Sequence, residues 1–563
     1  MKILGVSAFY HDSTASLIID GKVVAAIEEE RFSRLKHENG FPYRSIDYCL
    51  QSAGLNINDI DVIAYYEKPL LKFERLLETF VSTYPYSLKL FLMSIPEWLG
   101  QKIRVENIIR KDVGFSKKIY YIPHHLSHAA ATYYTSPFKH SAVLTVDGVG
   151  EYQTTVLWHA KNKNIRGIAS IDFPNSVGLL YSAFTSFLGF KVNEDEYKVM
   201  GLSAYGKPVY RETIRKIIEL KPDGSFIMDM RYFSFNKTSR MWTGHFEKLF
   251  GKPRKPFQPL DRHHKDIAAS IQSVTEEILF VILSHLQKLT EEKNLCLSGG
   301  VALNALANGK FYERTGFKKI HIFGAASDAG SAIGAALFTY HSILKTKSNF
   351  SYIESLFLGS SYSNEEIKSV LDQYPLKYSN FQNEDDLIRT SANLLHKNKI
   401  LGWFQGRCEF GPRALGNRSI LAATNPGNMK NRVNIIKKRE EFRPFAGSVL
   451  QEDVHLLFEV PEKKYLSPFM NFCFQVKKER KEELSAIAHR DGTCRIQTVS
   501  KGNGRYYKLI SEYYRKTGIP CILNTSFNLK GEPLVEHPRQ AVEDFLKTRM
   551  DYLVIGDYLV SKD

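Results

Sequence analysis

The chain has 563 residues, ample for two domains with sizeable cores. Its 76 Lys and Arg against 60 Asp and Glu give a formal net charge of +16, which favours anionic ligands such as nucleotides and acyl phosphates but fits RNA, anionic membranes or a merely basic surface as well. Six cysteines scattered without a CxxC pair predict a reducing cytoplasm, Met-Lys leads straight into the apolar run ILGVSAF with no signal peptide, and no uninterrupted apolar stretch reaches the roughly 20 residues of a membrane span.

Residues 2–30, KILGVSAFYHDSTASLIIDGKVVAAIEEE, predict strand, polar loop, strand, an Asp20-Gly21 turn and strand. Gly5, Ser7, His11, Asp12, Ser13 and Thr14 then sit where a phosphate or acyl group would be held, although an ordinary polar connection reads the same way. A helix in SIDYCLQSAG and a strand in IDVIAYYE complete a first α/β unit. Residues 68–112 are aromatic-rich but interrupted by Pro85, Lys89, Pro96 and Glu97. They predict an inserted helical subdomain that supplies an acceptor pocket, a dimer contact or a covered core, with an interfacial membrane helix as a further reading.

The segment YYIPHHLSHAAATYYTSPF, residues 120–138, predicts an Ala-favoured helix over 125–135, with His124 at its start and His128 one turn later on the same face. SAVLTVDGVGE reads as a buried strand ending in Asp147, followed by Gly148, Val149 and Gly150, where bare backbone can meet an anion. Asp328 in FGAASDAGSAIGAA occupies a similar junction of strand, small-residue loop and helix. Two His and two Asp would make a nitrogen and oxygen site suited to iron(II), manganese or zinc more than to copper(I), while two surface histidines opening a helix satisfy the HxxxH spacing equally.

EYQTTVLWHA and NIRGIASIDF predict strands, NSVGLLYSAFTSFLGF a helix capped by Asn175, and KVNEDEYKVMGLSAYGKP either a closing loop or a solvated charge run. A second α/β half follows: a helix over 264–290, the strand NLCLSGG, a helix opening in VALNALANG, the strand KKIHIFG and the helix GSAIGAALFTYH. Gly299, Gly300 and Asn304 at that strand-to-helix turn are candidate nucleotide contacts, since backbone donors at a helix N-terminus suit phosphate. Two halves that each offer strand, polar or glycine loop and helix resemble the actin, sugar-kinase and chaperone-ATPase superfold, in which nucleotide lies between two lobes.

Residues 348–362 read as a linker, after which Ser363 and Glu366 form a capping box on EEIKSVLDQY. GWFQGRCEFGPRALGNRSILAATNP and NRVNIIKKREEFRPFAGSVL gather Arg407, Arg413, Arg418, Lys437, Arg439 and Arg443 among Gly, Pro and apolar residues. Guanidinium forks in such a setting suit bidentate capture of phosphate or carboxylate. Arg495 is predicted on a strand in CRIQTV, and Asn524, Ser526 and Asn528 lie where the buried strand CILNTSFN runs out into a loop.

The motifs FYHDSTAS, AAIEEERFSRLKH, HHLSHAA, VDGVGE, LSGGVALN, SDAG, QGRCEFGPRALGNRSI, KKREEFRP, CRIQTV and LNTSFN are similar, nearly end to end, to those of the O-carbamoyltransferases that act on antibiotics and nodulation factors. The resemblance implies a two-lobed ATPase-superfold domain over residues 1–347, like the tRNA threonylcarbamoyl-transferase subunit. It implies an α+β domain over 363–563, like the threonylcarbamoyl-adenylate synthase. The second domain would join carbamoyl phosphate and ATP, with Mg2+ accompanying the ATP, into carbamoyladenylate, and the first would move the carbamoyl group to a hydroxyl of a sugar or natural product. By the same resemblance His124, His128, Asp147 and Asp328 are the metal ligands, with iron(II) the expected ion, and His11 is the base, with Asp12 orienting its ring or capping the loop. Lys437, Arg443, Arg495, Ser526 and Arg418 would line the carbamoyl phosphate and adenylate site. Nucleic acid is not an expected partner, a homodimer is open, and the rival readings are a small-molecule kinase, which needs no arginine-rich second domain, and a nucleotide-dependent binding module.

Overall fold

Runs of apolar, often β-branched residues form the strands of the first unit, and they assemble twice into one pattern. The structure, a computed structural model, describes residues 1–347, 349–350 and 352–562. Ser348 and Ser351, inside the predicted linker, lie outside the described residues. Strands β1 (Lys2–Ser7), β2 (Thr14–Ile19), β3 (Lys22–Glu28), β4 (Val62–Tyr65) and β5 (Lys118–Tyr121) form a sheet of order β3-β2-β1-β4-β5. In it β1 runs antiparallel to β2 and parallel to β4, and β4 parallel to β5.

The second sheet begins with β6 (His140–Val146), β7 (Gln153–Lys161) and β8 (Asn164–Asp172). A small hairpin of β9 (Ile218–Leu220) and β10 (Phe226–Met228) intervenes before β11 (Asn294–Ser298) and β12 (Lys319–Ile322) complete the order β12-β11-β6-β7-β8. Here β6 is antiparallel to β7 and parallel to β11. Counted from its own first strand, each sheet reads third, second, first, fourth, fifth, and in both the first strand is antiparallel to the second and parallel to the fourth. That duplication is the two-lobed α/β architecture expected from the sequence.

Two helices fill the space between these sheets. The histidine helix, His124–Tyr134, packs on the aspartate helix, Asp328–Phe338, which in turn packs on β1, β2 and β4. The run DAGSAIGAA is small because the approach is close: a Cβ at Gly334 would stand 1.9 Å from the Ser127 carbonyl oxygen. A Cβ at Gly5 would stand 2.0 Å from that of Ala332. The insertion forms helices Pro69–Thr83, Leu88–Gly100 and Val105–Lys111, with Leu70, Val81, Tyr86 and Met93 exposed.

Two local expectations change. The helix Val177–Phe187 is capped by Ser176, whose hydroxyl accepts the Leu179 N–H, because Asn175 is turned to accept the N–H of Met228 instead. The predicted closing loop contains a helix, Glu196–Ser203, with Val199, Met200 and Leu202 buried. Among the described residues only Arg262–Thr290 is long and apolar enough to cross a membrane, and 67% of its most apolar window is buried in the fold.

The chain divides into two compact units, Met1–Ala26 with Asn39–Tyr352, and Ile27–Glu38 with Ile353–Asp563. The second unit holds a nine-stranded sheet built from β13 (Lys377–Asn380), β14 (Leu401–Phe404), β15 (Arg418–Ala422), β16 (Ala446–Leu450), β17 (Phe472–Gln475), β18 (Thr493–Val499), β19 (Cys521–Ser526), β20 (Tyr552–Ile555) and β21 (Tyr558–Ser561). Its order is β13-β21-β20-β14-β15-β19-β16-β18-β17. The motif EEERFSRLKH belongs to this unit, which sequence position alone does not foresee. Buried Arg31 donates to Glu30, Glu28 and the carbonyl of Gly411, and Arg34 donates to the carbonyls of Leu534 and Pro533. The predicted capping box of Ser363 and Glu366 is present on helix Asn364–Leu371.

Candidate metal centre and anion site

The first unit brings His124, His128, Asp147 and Asp328 together although they are far apart in the chain. Helical spacing aligns the two imidazoles, β6 ends at Asp147, and the aspartate helix starts at Asp328. His128 Nε2 lies 3.2 Å from His124 Nε2, 3.0 Å from Asp147 Oδ2 and 3.2 Å from Asp328 Oδ1. His124 Nε2 lies 3.3 Å from Asp147 Oδ2 and 3.7 Å from Asp328 Oδ1. Atoms bound to one ion at about 2.1 Å stand roughly 3.0–3.4 Å apart, so these separations suit a single small cation. Both Asp328 carboxylate oxygens are buried without a well-formed hydrogen bond, an arrangement whose cost a cation would remove.

With protein groups alone, a proton answers that charge. Burial acts to lower the His128 pKa, yet the carboxylates of Asp147 and Asp328, 3.0 and 3.2 Å from its Nε2, push it up to about 9. Burial acts to raise Asp147, but hydrogen bonds from His124 and His128 hold it well below the usual carboxylate range. The surroundings fix the ligands. His128 Nδ1 faces the hydroxyls of Ser331 and Ser298 at 3.2 and 3.4 Å, which leaves Nε2 for a cation. Glu151 accepts the backbone N–H of His124 at 3.0 Å and so caps the histidine helix from outside. His125 is excluded, since its two nitrogens engage Thr145 Oγ1 and the Gln153 carbonyl, each at 2.9 Å.

His11 reaches the edge of this cluster, with Nε2 4.0 Å from Asp328 Oδ2 and Nδ1 3.1 Å from Asp12 Oδ2. Its loop is held in an unusual backbone shape, with Phe9 and Asp12 at φ of 70° and 57°. Burial acts to lower the His11 pKa, but Asp328 and Asp12 raise it to about 10; a cation taken up by Asp328 would weaken the attraction that holds that proton.

The glycine loops serve the packing of this centre more than they offer free donors. Gly148 donates its N–H to Asp147 Oδ1 at 2.7 Å, and Val149 lies half-buried beside it. Gly299 donates to the Ala326 carbonyl at 2.9 Å, has φ 97°, and would place a Cβ 2.2 Å from the Val146 carbonyl oxygen. Gly300 opens a 3-10 turn, Gly300–Leu303, where an α-helix was expected, and its bare Cα makes room beside Asp147 Oδ1. Asn304 caps helix Ala305–Arg314 and exchanges two 3.0 Å hydrogen bonds with Gln272, so its amide is engaged within the fold.

In the second unit the structure sorts the basic residues by what their donors meet. Arg418 is fully buried, lies over the Phe404 ring and donates to the carbonyls of Gln405, Asn417, Ser360 and Gly406. Its guanidinium stitches loops together and is not placed for substrate. Arg407 likewise donates to the carbonyls of Gly359 and Leu358. Asn524 spends its amide donors on Ala414, Ser448 and Gln497. Arg413 stands half-buried in the loop between β14 and β15.

Lys437, Ser526 and Asn528 do converge. The buried Lys437 ammonium donates to Ser526 Oγ at 3.1 Å, to the Ser526 and Asn528 carbonyls at 2.6 and 2.8 Å, and to Asn528 Oδ1. Burial, with Arg439 and Arg443 adding repulsion, brings its pKa well below the ordinary lysine value. Arg495 on β18 pairs across Ala446 with Asn524, so the two share one face of the sheet. The Arg495 guanidinium makes no hydrogen bond or ion pair among the described residues, and burial with Arg443 nearby lowers its pKa. The result is buried positive charge held mostly by neutral oxygens, a setting that accepts an anion.

Comparison with known proteins matches the chain to two consecutive family models. Residues 2–337 match the carbamoyltransferase N-terminus model and residues 392–562 the carbamoyltransferase C-terminus model. The chain belongs to the carbamoyltransferase family. It is 41% identical to an uncharacterized protein of Synechocystis, covering 100% of this chain and 96% of that one. It is 37% identical to nodulation protein NolNO of Sinorhizobium fredii, over 99% and 80% of the two chains, and 38% identical to nodulation protein NolO of Bradyrhizobium diazoefficiens, over 78% of each. Among solved structures, component A of the (R)-2-hydroxyglutaryl-CoA dehydratase of Acidaminococcus fermentans aligns at 18% identity with a TM-score of 0.35, covering 61% of this chain and 99% of its own.

Proposed function

We propose that this carbamoyltransferase acts in two stages. At the Lys437, Arg443 and Arg495 cluster carbamoyl phosphate loses its phosphate to water, and the resulting carbamate oxygen displaces pyrophosphate from Mg2+-accompanied ATP to give carbamoyladenylate; a hydroxyl of a sugar or natural product beside His11 then attacks the carbamoyl carbon and AMP leaves. The observation that carries the reading is the presence of two polar clusters of opposite demand, one rich in unshared carboxylate and imidazole lone pairs and one rich in buried positive charge. The first suits a divalent ion, for which iron(II) is our proposal; bound by His124, His128, Asp147 and Asp328, it would supply Lewis-acid polarisation or hold a phosphate oxygen. In this reading His11, oriented by Asp12, takes the proton of the acceptor hydroxyl from its neutral form, and its removal should slow transfer on the order of 100-fold.

The test separates the stages. Arg443→Ala should abolish carbamoyladenylate formation from ATP and carbamoyl phosphate while transfer from supplied carbamoyladenylate continues. Loss of both activities in a folded variant would argue against two sites, and a phosphorylated acceptor made with ATP alone would replace the reading with a kinase.

A further inference from the structure

The inserted helix Pro69–Thr83 sends two cations towards the metal-ligand cluster, and they are treated differently. Buried Lys72 is neutralised by Glu67, at 2.6 Å. Arg75, one turn along the same helix, is half-buried over the Phe173 ring, 5.1 Å from its centroid, and its guanidinium makes no hydrogen bond or ion pair among the described residues. The two carboxylates whose charge Arg75 feels are occupied: Glu67 holds Lys72, and Glu151 accepts the backbone N–H groups of Lys68 and His124 at 2.8 and 3.0 Å. The Tyr10 hydroxyl connects the two regions, because it feels both Arg75 and the cluster residues Asp147 and Asp328, and its ring lies 4.5 Å from that of His11.

An arginine presents five N–H donors in a fixed fork and no acceptor, so a partly desolvated guanidinium with none of them used costs the fold stability. Proteins retain such a group where a ligand completes it. We infer that Arg75 is an oxyanion-binding residue on the Tyr10 side of the metal-ligand cluster, holding a phosphate or carboxylate of a bound reactant by bidentate hydrogen bonds. Two sources carry that chemistry: the phosphate of the carbamoyl donor, or an acidic group on the acceptor. The inference rests on the carbamoyl-transfer reading only for which reactants are present. A binding assay without turnover therefore fails independently of that reading.

Calorimetric titration of the full chain with inorganic phosphate, AMP and glucuronate, for wild type, Arg75→Gln and Arg75→Met, decides it. Wild type should bind at least one probe, and both variants should bind that probe about 10-fold or more weakly, with metal content unchanged. Selective loss of AMP binding assigns the donor phosphate, and selective loss of glucuronate binding assigns an acidic acceptor. Because the Arg75 guanidinium has no hydrogen-bonded or ion-paired protein partner to lose, and Met still covers the Phe173 ring, Arg75→Met should keep or raise the melting temperature. Unaltered binding of all three probes, no binding by wild type, or a fall in melting temperature with binding intact would overturn the inference.

Discussion

The two polar clusters are constructed in opposite ways. Around His128 the acceptors outnumber the donors: two imidazole nitrogens and carboxylate oxygens face one another at 3.0–3.7 Å, and the Asp328 oxygens remain without proper partners. Around Lys437 the imbalance is reversed, with a buried ammonium on neutral oxygens, Arg439 and Arg443 adding their charge to it, and Arg495 in turn feeling Arg443. One cluster calls for a cation and the other for an anion. The two arginines differ as well: Arg418 has spent its terminal nitrogens on four carbonyls, whereas the Arg495 guanidinium meets no hydrogen-bond acceptor among the described residues.

The largest effect should come from emptying the first cluster. His128→Ala removes the residue closest to all the others, so metal content should fall to near zero and transfer should drop at least ~100-fold. Carbamoyladenylate formation should be unaffected. Elemental analysis of the purified variant measures the first outcome, and a variant that retains full metal would break the assignment.

The arginine contrast predicts a crossed pair of outcomes. Arg418→Met should cost about 3 kcal/mol or more, seen in denaturant unfolding, because several buried carbonyls lose their donor at once. Arg495→Met should leave stability unchanged or higher while slowing carbamoyladenylate formation roughly 10- to 100-fold, the worth of one or two charge-assisted hydrogen bonds. Similar stability losses in both variants would erase the distinction between the two arginines.

How far the sequence disclosed this arrangement depended on the range of the signal. The HxxxH spacing is a property of a single helix, so the shared face of His124 and His128 was legible before any fold was known. Alternating apolar strands and caps such as Ser363 with Glu366 are equally local. The fate of Arg418 was not legible, because it is decided by carbonyls of Ser360 and Gln405 that only folding brings near. Gly299 misled for a related reason: its conformation and bare Cα serve the close approach of Val146, which looks identical in sequence to a glycine exposed for phosphate. Tyr10, Arg75 and Ser331 carried no motif, although Ser331, one turn after Asp328 on an otherwise small-residue helix, offered a faint one.

Ser331 supports the smallest and most discriminating effect. With a cation on Nε2, His128 must carry its proton on Nδ1 and donate it, and the available acceptors are the Ser331 and Ser298 hydroxyls at 3.2 and 3.4 Å. Removing one leaves the other within reach, so Ser331→Ala should weaken metal affinity by about 10-fold or less. The double variant with Ser298→Ala leaves Nδ1–H without an acceptor in a buried site, and the loss should grow towards ~100-fold. Competition with a chelator measures both. A double variant no weaker than Ser331→Ala would mean that the ring is oriented by packing alone, and the first cluster would then owe its geometry to the close-set helices and not to hydrogen bonds.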